Sequence, residues 1–149
     1  MFYYIILRVG VEKIEWIRYN APHMKKGKII PNGVILEKHE YKTILLFTEM
    51  GSDVELIPKS DKKGVRTPDI IMDGLKWEMK SPKGKGRWLL ENTLQKAVRQ
   101  SPNIIIDLDR IKIHQTKCLQ ELEKQFYKSK GVKWLKIVTK TKKMVDFKK

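Results

Sequence analysis

The sequence predicts an α/β domain in the order α-β-β-β-α-β, followed by a further helix and strand. Three observations carry this. Apolar residues recur at helical spacing in residues 36–50 and 88–101. Short apolar runs, DVELI and NIIID, have the length and composition of strands. Between them an Asp73-Gly74 pair separates IIM from LKWEMK, which signals a two-residue hairpin turn.

At the N-terminus, Tyr3, Ile5 and Leu7 alternate with Tyr4, Ile6 and Arg8, and VEKIEWIRY alternates after them, so a β-hairpin or short strand extension is expected. Ile30-Pro31-Asn32-Gly33 is a turn signal and divides residues 1–31, a β-rich extension, from a main domain of residues 32–149. The helix at 36–50 carries Tyr41, Ile44, Leu45 and Thr48 on one stripe and stops at Gly51. A strand at 53–57 closes at Pro58, and the lysine-rich KSDKKG after it reads as a loop. Past the hairpin, the helix at 88–101 buries Leu90, Leu94 and Ala97 and ends at Ser101-Pro102. NIIID then makes a buried strand, and a helix at 116–128 and a strand at 133–138 complete the order.

The hairpin is where chemistry concentrates. With Asp73 and Gly74 in the loop, Met72 faces Leu75, Ile71 faces Lys76, Ile70 faces Trp77 and Asp69 faces Glu78. Alternation places Ile70, Met72, Leu75, Trp77 and Met79 on a core face, and Asp69, Ile71, Lys76, Glu78 and Lys80 on a charged one. Opposed carboxylates, with Cβ atoms roughly 4.5–5.5 Å apart, repel unless a cation or a proton lies between them. A divalent cation with oxygen ligands, Mg²⁺ or Mn²⁺, answers that need, and Lys80 is placed to hold a water or to stabilise negative charge on a phosphate. The alternative is a solvated face whose acids are neutralised by Lys76 and Lys80.

Composition limits the partners. The 149 residues carry 32 Lys and Arg against 17 acids, a net charge of +15, so an anionic partner is expected, nucleic acid first and an anionic membrane surface second. No apolar run nears the ~18 residues of a membrane span, and FYYIIL is too short and lacks the basic start of a signal peptide, so a soluble chain is expected. The single cysteine, Cys118, excludes an internal disulfide and a thiolate zinc cluster and reads as a buried helix residue. His39-Glu40 lacks the second histidine of a zinc protease because position 43 is Thr. Lys83-Gly84-Lys85-Gly86 lacks the spacing and trailing Lys-Ser/Thr of a nucleotide-binding loop.

Pro68-Asp69, a hairpin, then Glu78-Met79-Lys80 resembles the PD-(D/E)xK nuclease motif, and the element order resembles the restriction-endonuclease-like fold of those enzymes, a central mixed β-sheet flanked by helices. Over residues 37–110, the strings HEYKTILLFTEMGSDVELIP, TPDI, WEMKSPKG and QSPNIIID resemble the C-terminal tRNase toxin domain of CdiA-type contact-dependent inhibition proteins. That resemblance implies a metal-dependent endonuclease with Asp69 and Glu78 as ligands of Mg²⁺ or Mn²⁺, Lys80 as the catalytic lysine and Glu40 as a helix acid, with Glu37 one turn earlier as its alternative. It implies a tRNA substrate, an acidic immunity protein as partner, and action in the cytoplasm of a target cell, although no delivery segment is visible in the chain.

Around this site Lys76, Lys83, Arg87, Gln95 and Gln100 are candidates for phosphate contact and water positioning, and Trp88 for base stacking, whereas Trp77 belongs to the core face. Each also has a plain reading as a solvated loop or helix edge. Glu55 joins the charged face if its register allows. Two other functions stay open: a DNA endonuclease of the same fold, and a basic nucleic-acid-binding module without catalysis.

Overall fold

The computed structural model describes residues 2–8, 14–20 and 25–149, the first two segments as backbone strands. The elements run β1 (Phe2–Arg8), β2 (Ile14–Asn20), β3 (Ile29–Ile30), α1 (Lys38–Glu49), β4 (Val54–Leu56), β5 (Ile70–Met72), β6 (Leu75–Lys80), α2 (Leu89–Ala97), β7 (Asn103–Asp107), α3 (Gln115–Lys128), β8 (Trp134–Val138) and β9 (Met144–Lys148). Among the described residues the strands form one sheet in the order β2-β1-β9-β8-β7-β6-β5-β4-β3. It is mixed: β6-β7 and β7-β8 are parallel, while β4-β5, β5-β6 and β8-β9 are antiparallel.

Each face of the sheet has its own core. On one, Ile44 and Phe47 of α1 join Val54, Leu56, Ile70, Met72, Trp77 and Ile105. On the other, α2 and α3 supply Leu90, Leu94, Leu122 and Phe126 against Ile104, Ile106, Leu135 and Ile137. Strand β7 is therefore covered on both sides, with Ile104 and Ile106 toward α2 and α3 and Ile105 toward α1, which is why it reads as an unbroken apolar run.

The hairpin forms as its turn dipeptide dictates. Asp73 and Gly74 take φ of 52° and 75°, and the pairs Met72↔Leu75, Ile71↔Lys76 and Ile70↔Trp77 follow. Trp77 is wholly buried, donates its indole N–H to the Met72 carbonyl at 3.1 Å and meets the Trp134 ring edge-on. Cys118 is buried in α3, as expected.

Two expectations change. The stripe of α1 is displaced: Ile44 and Thr48 are buried with Leu46 and Phe47, but Tyr41 is 47% exposed. The lysine-rich tail hides a strand, β9, in which Met144 faces the α1 side and Val145 and Phe147 the other. Asp146 obscured that strand's apolar pattern; it is buried, and opposite it on β8 lies Lys136, whose ammonium reaches Asp146 Oδ1 at 2.7 Å. The N-terminal strands that the alternation predicts continue the same sheet: β1 pairs with β2 and, in parallel, with β9, while β3 pairs with β4 at the far edge.

Candidate active site

The ladder of the hairpin stops one pair short of the expected register. Beyond Ile70↔Trp77 the Asp69 amide donates to the Trp77 carbonyl at 3.0 Å, and the Asp69 carboxylate, through Oδ2, accepts the Met79 amide at 2.7 Å. A side chain thus takes the place of a backbone carbonyl, and Asp69 and Glu78 do not form the cross-strand pair expected of them. Pro68, with no amide to offer, cannot extend the ladder either. The two acids are neighbours nonetheless, because β6 carries Glu78 one residue before the amide that Asp69 holds.

Glu78 is only 1% exposed. It points to the α2 face of the sheet, where its Oε1 accepts the Lys80 ammonium at 2.5 Å and the Gln100 amide at 2.7 Å. Its other oxygen, Oε2, is buried and has no hydrogen-bond partner among the described residues. Burial pushes the carboxyl from an ordinary 4.5 up to about 7; the Lys80 hydrogen bond opposes that shift and the charge of Asp69 adds to it.

Gln100 reaches this carboxylate because the turn after α2 is tied to β6. The Ser101 hydroxyl and the Asn103 amide both donate to the Lys76 carbonyl, at 2.8 and 3.2 Å. In the sequence Ser101-Pro102 served as a helix stop and Gln100 as a candidate site residue; the bonds of Ser101 and Asn103 to β6 are what hold the turn over the site. Arg110, likewise not foreseen, grips the chain just past Lys80 by donating to Ser81 Oγ at 3.0 Å and to the Ser81 carbonyl at 2.5 Å. The loop beyond is pinned by the Lys112 amide on the Gly84 carbonyl at 2.7 Å.

The other candidates separate by position. Glu40 Oε2 accepts the Glu37 amide at 2.8 Å, closing the first turn of α1, and Glu40 lines a small cleft of about 230 Å³ with Asp69 and Met79. Glu37 is exposed and lies 3.3 Å from His39 Nδ1. Glu55, opposite Ile71, shares the charged face, where it accepts the Asn32 amide at 3.1 Å. The side chains of Lys76, Lys83 and Arg87 are exposed, and Arg87 lies over the ring of Trp88, itself 57% exposed, at 4.8 Å. Gln95 does not join the carboxylates: it is exposed and donates to Glu91 at 3.2 Å.

The donor set fits a hard divalent cation. Among the described residues no three acids, histidines or cysteines come together, but Mg²⁺ commonly takes one or two carboxylates and keeps water on its remaining positions. A buried carboxylate oxygen without a partner, beside a second carboxylate, is the kind of ligand such an ion satisfies.

Residues 66–144, over half of the chain, match the family described as the contact-dependent growth inhibition CdiA C-terminal domain. The chain belongs to this family. The matched segment of this CdiA C-terminal domain contains Asp69, Glu78, Lys80 and Gln100, and leaves Glu40 outside it. Its fold is similar to a structure of a CdiA-CT/CdiI toxin and immunity complex from Burkholderia pseudomallei, with a TM-score of 0.61 at 15% identity over 83% of this chain and 100% of that one. Among curated protein sequences none matches the chain.

Proposed function

We propose that this CdiA C-terminal domain is a toxin of the PD-(D/E)xK nuclease type that hydrolyses phosphodiester bonds in tRNA with Mg²⁺ or Mn²⁺. The observation that carries the reading is Glu78, a buried carboxylate held on one oxygen by Lys80 and Gln100 and left unpartnered on the other, beside Asp69. Burying such a group destabilises a fold unless the charge is compensated, and perturbed carboxylates of this kind concentrate at functional sites. A net charge of +15 and family membership point the same way.

In this reading Asp69 and Glu78 would hold the metal ion, which would supply charge neutralisation for the acid pair and Lewis acidity toward a phosphate oxygen or a water. The protein's own groups set the orientation. The Met79 amide fixes one oxygen of Asp69, and Lys80 and Gln100 fix Oε1 of Glu78, so that Oε2 is the oxygen that would be left for the ion. Lys80 is partly exposed and carries three donors, so its ammonium holds Glu78 while also facing water or a phosphate oxygen. Lys76, Lys83 and Arg87 meet backbone phosphates, and Trp88 offers a ring to an unpaired base. The domain acts in the cytoplasm of a target cell, and an acidic immunity protein neutralises it in the producer; the toxin and immunity complex of similar fold supports that partnership.

The test is a gel of purified protein with total tRNA and, separately, plasmid DNA, each with Mg²⁺ and with EDTA, beside Glu78→Ala and Lys80→Ala. Metal-dependent tRNA fragments made by the native chain and absent from both variants are expected. Cleavage of DNA alone moves the substrate to DNA. Cleavage of neither nucleic acid removes the nuclease reading.

A further inference from the structure

A second cleft, of about 390 Å³, opens beside the carboxylate pair. One wall is the loop between β4 and β5, which contributes Lys59, Arg66 and Thr67; the other is the C-terminal part of α2 and the turn after it, with Lys96, Arg99 and Gln100. Both walls run into the site already described. Thr67 stands two residues before Asp69, and Gln100 donates to Glu78. The loop is shaped by its own bonds, the Ser60 amide donating to Thr67 Oγ1 at 3.3 Å and the Lys62 amide to Ser60 Oγ at 3.2 Å.

Four cations thus line one concavity, and none of them forms an ion pair among the described residues. Cations near the end of a helix favour its C-terminal carbonyls, which accounts for Lys96 and Arg99. It does not account for Lys59 and Arg66, which come from the opposite wall and add to the repulsion. Asp61, on the same loop, does not line the cleft. Like charges gathered in a concave surface focus a positive potential on whatever anion enters.

We propose that this cleft holds the phosphodiester backbone of the substrate strand on one side of the bond that is cut, with Lys59, Arg66, Lys96 and Arg99 as its phosphate contacts. The proposal rests on the nuclease reading and adds to it a direction: the strand leaves the carboxylates past Gln100 and between the loop and α2. None of these four cations was singled out by the hairpin motif, because they belong to elements that meet only in the folded chain.

The experiment uses Glu78→Gln, to block cutting, and a fluorescein-labelled 20-nucleotide RNA, with Kd measured by anisotropy across a KCl series. In that background Lys59→Gln, Arg66→Gln, Lys96→Gln and Arg99→Gln are combined. Loss of four phosphate contacts lowers the slope of log Kd against log salt by roughly 3 and weakens binding on the order of 100-fold at 0.15 M salt. A variant losing the same charge from Lys117, Lys124, Lys128 and Lys130, exposed on and just after α3, keeps the native slope to within about one contact. Because all four cleft side chains are exposed, the fold is expected to survive; the two pairwise variants, one per wall, each show about half the slope change if the quadruple does not fold. Equal slopes in the cleft and α3 variants, with binding retained, overturn the cleft while leaving the nuclease reading intact. If the native chain neither binds nor cuts RNA or DNA, both fall together.

Discussion

Replacing Glu78 with Gln tests the burial of that carboxylate by thermodynamics alone. Its carboxyl titrates near 4.5 in the unfolded chain and at about 7 in the folded one. Between those values the folded state binds the extra proton, so the contribution of Glu78 to stability is fully present below pH 4.5 and is lost as the pH rises through about 7. At about 1.4 kcal/mol for each tenfold step in proton affinity, the loss is on the order of 3 kcal/mol. Gln cannot titrate, so the difference in unfolding free energy between Glu78→Gln and the native chain moves in favour of the variant by that amount between pH 4 and pH 8. Any constant cost of the substitution, such as a weaker bond to Lys80, shifts the whole curve and leaves its slope untouched. The assay is urea unfolding in EDTA at half-unit pH steps for both proteins. Parallel pH profiles would refute the reasoning, because they would mean that Glu78 has the same proton affinity folded and unfolded.

Three other outcomes are expected. Adding Mg²⁺ at pH 8 raises the melting temperature of the native chain and not that of Glu78→Gln, because only the native chain presents both carboxylates; equal shifts would place any bound ion elsewhere. Thr43→Val removes the hydroxyl that donates to the buried Asp107 Oδ2 at 2.5 Å, which costs about 1–3 kcal/mol in urea unfolding. At Gly27 an added Cβ would lie 1.9 Å from the Ser52 carbonyl oxygen, a backbone atom, so Gly27→Ala lowers stability by about 1–3 kcal/mol in the same assay.

The hairpin shows how far local pattern reaches. Asp73-Gly74 specified the turn, the turn specified three cross-strand pairs, and alternation assigned Trp77 to the core and Glu78 to the other face. The fourth pair lay beyond that reach, because whether residue 69 continues the ladder depends on a choice between its carboxylate and a backbone carbonyl as acceptor for Met79. Strand β9 was hidden for a related reason. A buried aspartate breaks an apolar pattern, and only the partner strand, with Lys136 opposite, makes its burial tolerable.

By itself the sequence determined the order of elements from α1 to β8, the turn chemistry and the side of the sheet on which Glu78 stands, since these follow from periods of 2 and 3.6 and from the φ preferences of single residues. The tertiary structure decided that Glu78 is buried, that Gln100 spans 22 positions to reach it, and that Lys59, Arg66, Lys96 and Arg99 share one cleft. Burial and long-range approach depend on what covers a face, and that is settled only when α2 packs onto the sheet and the turn after it bonds to β6.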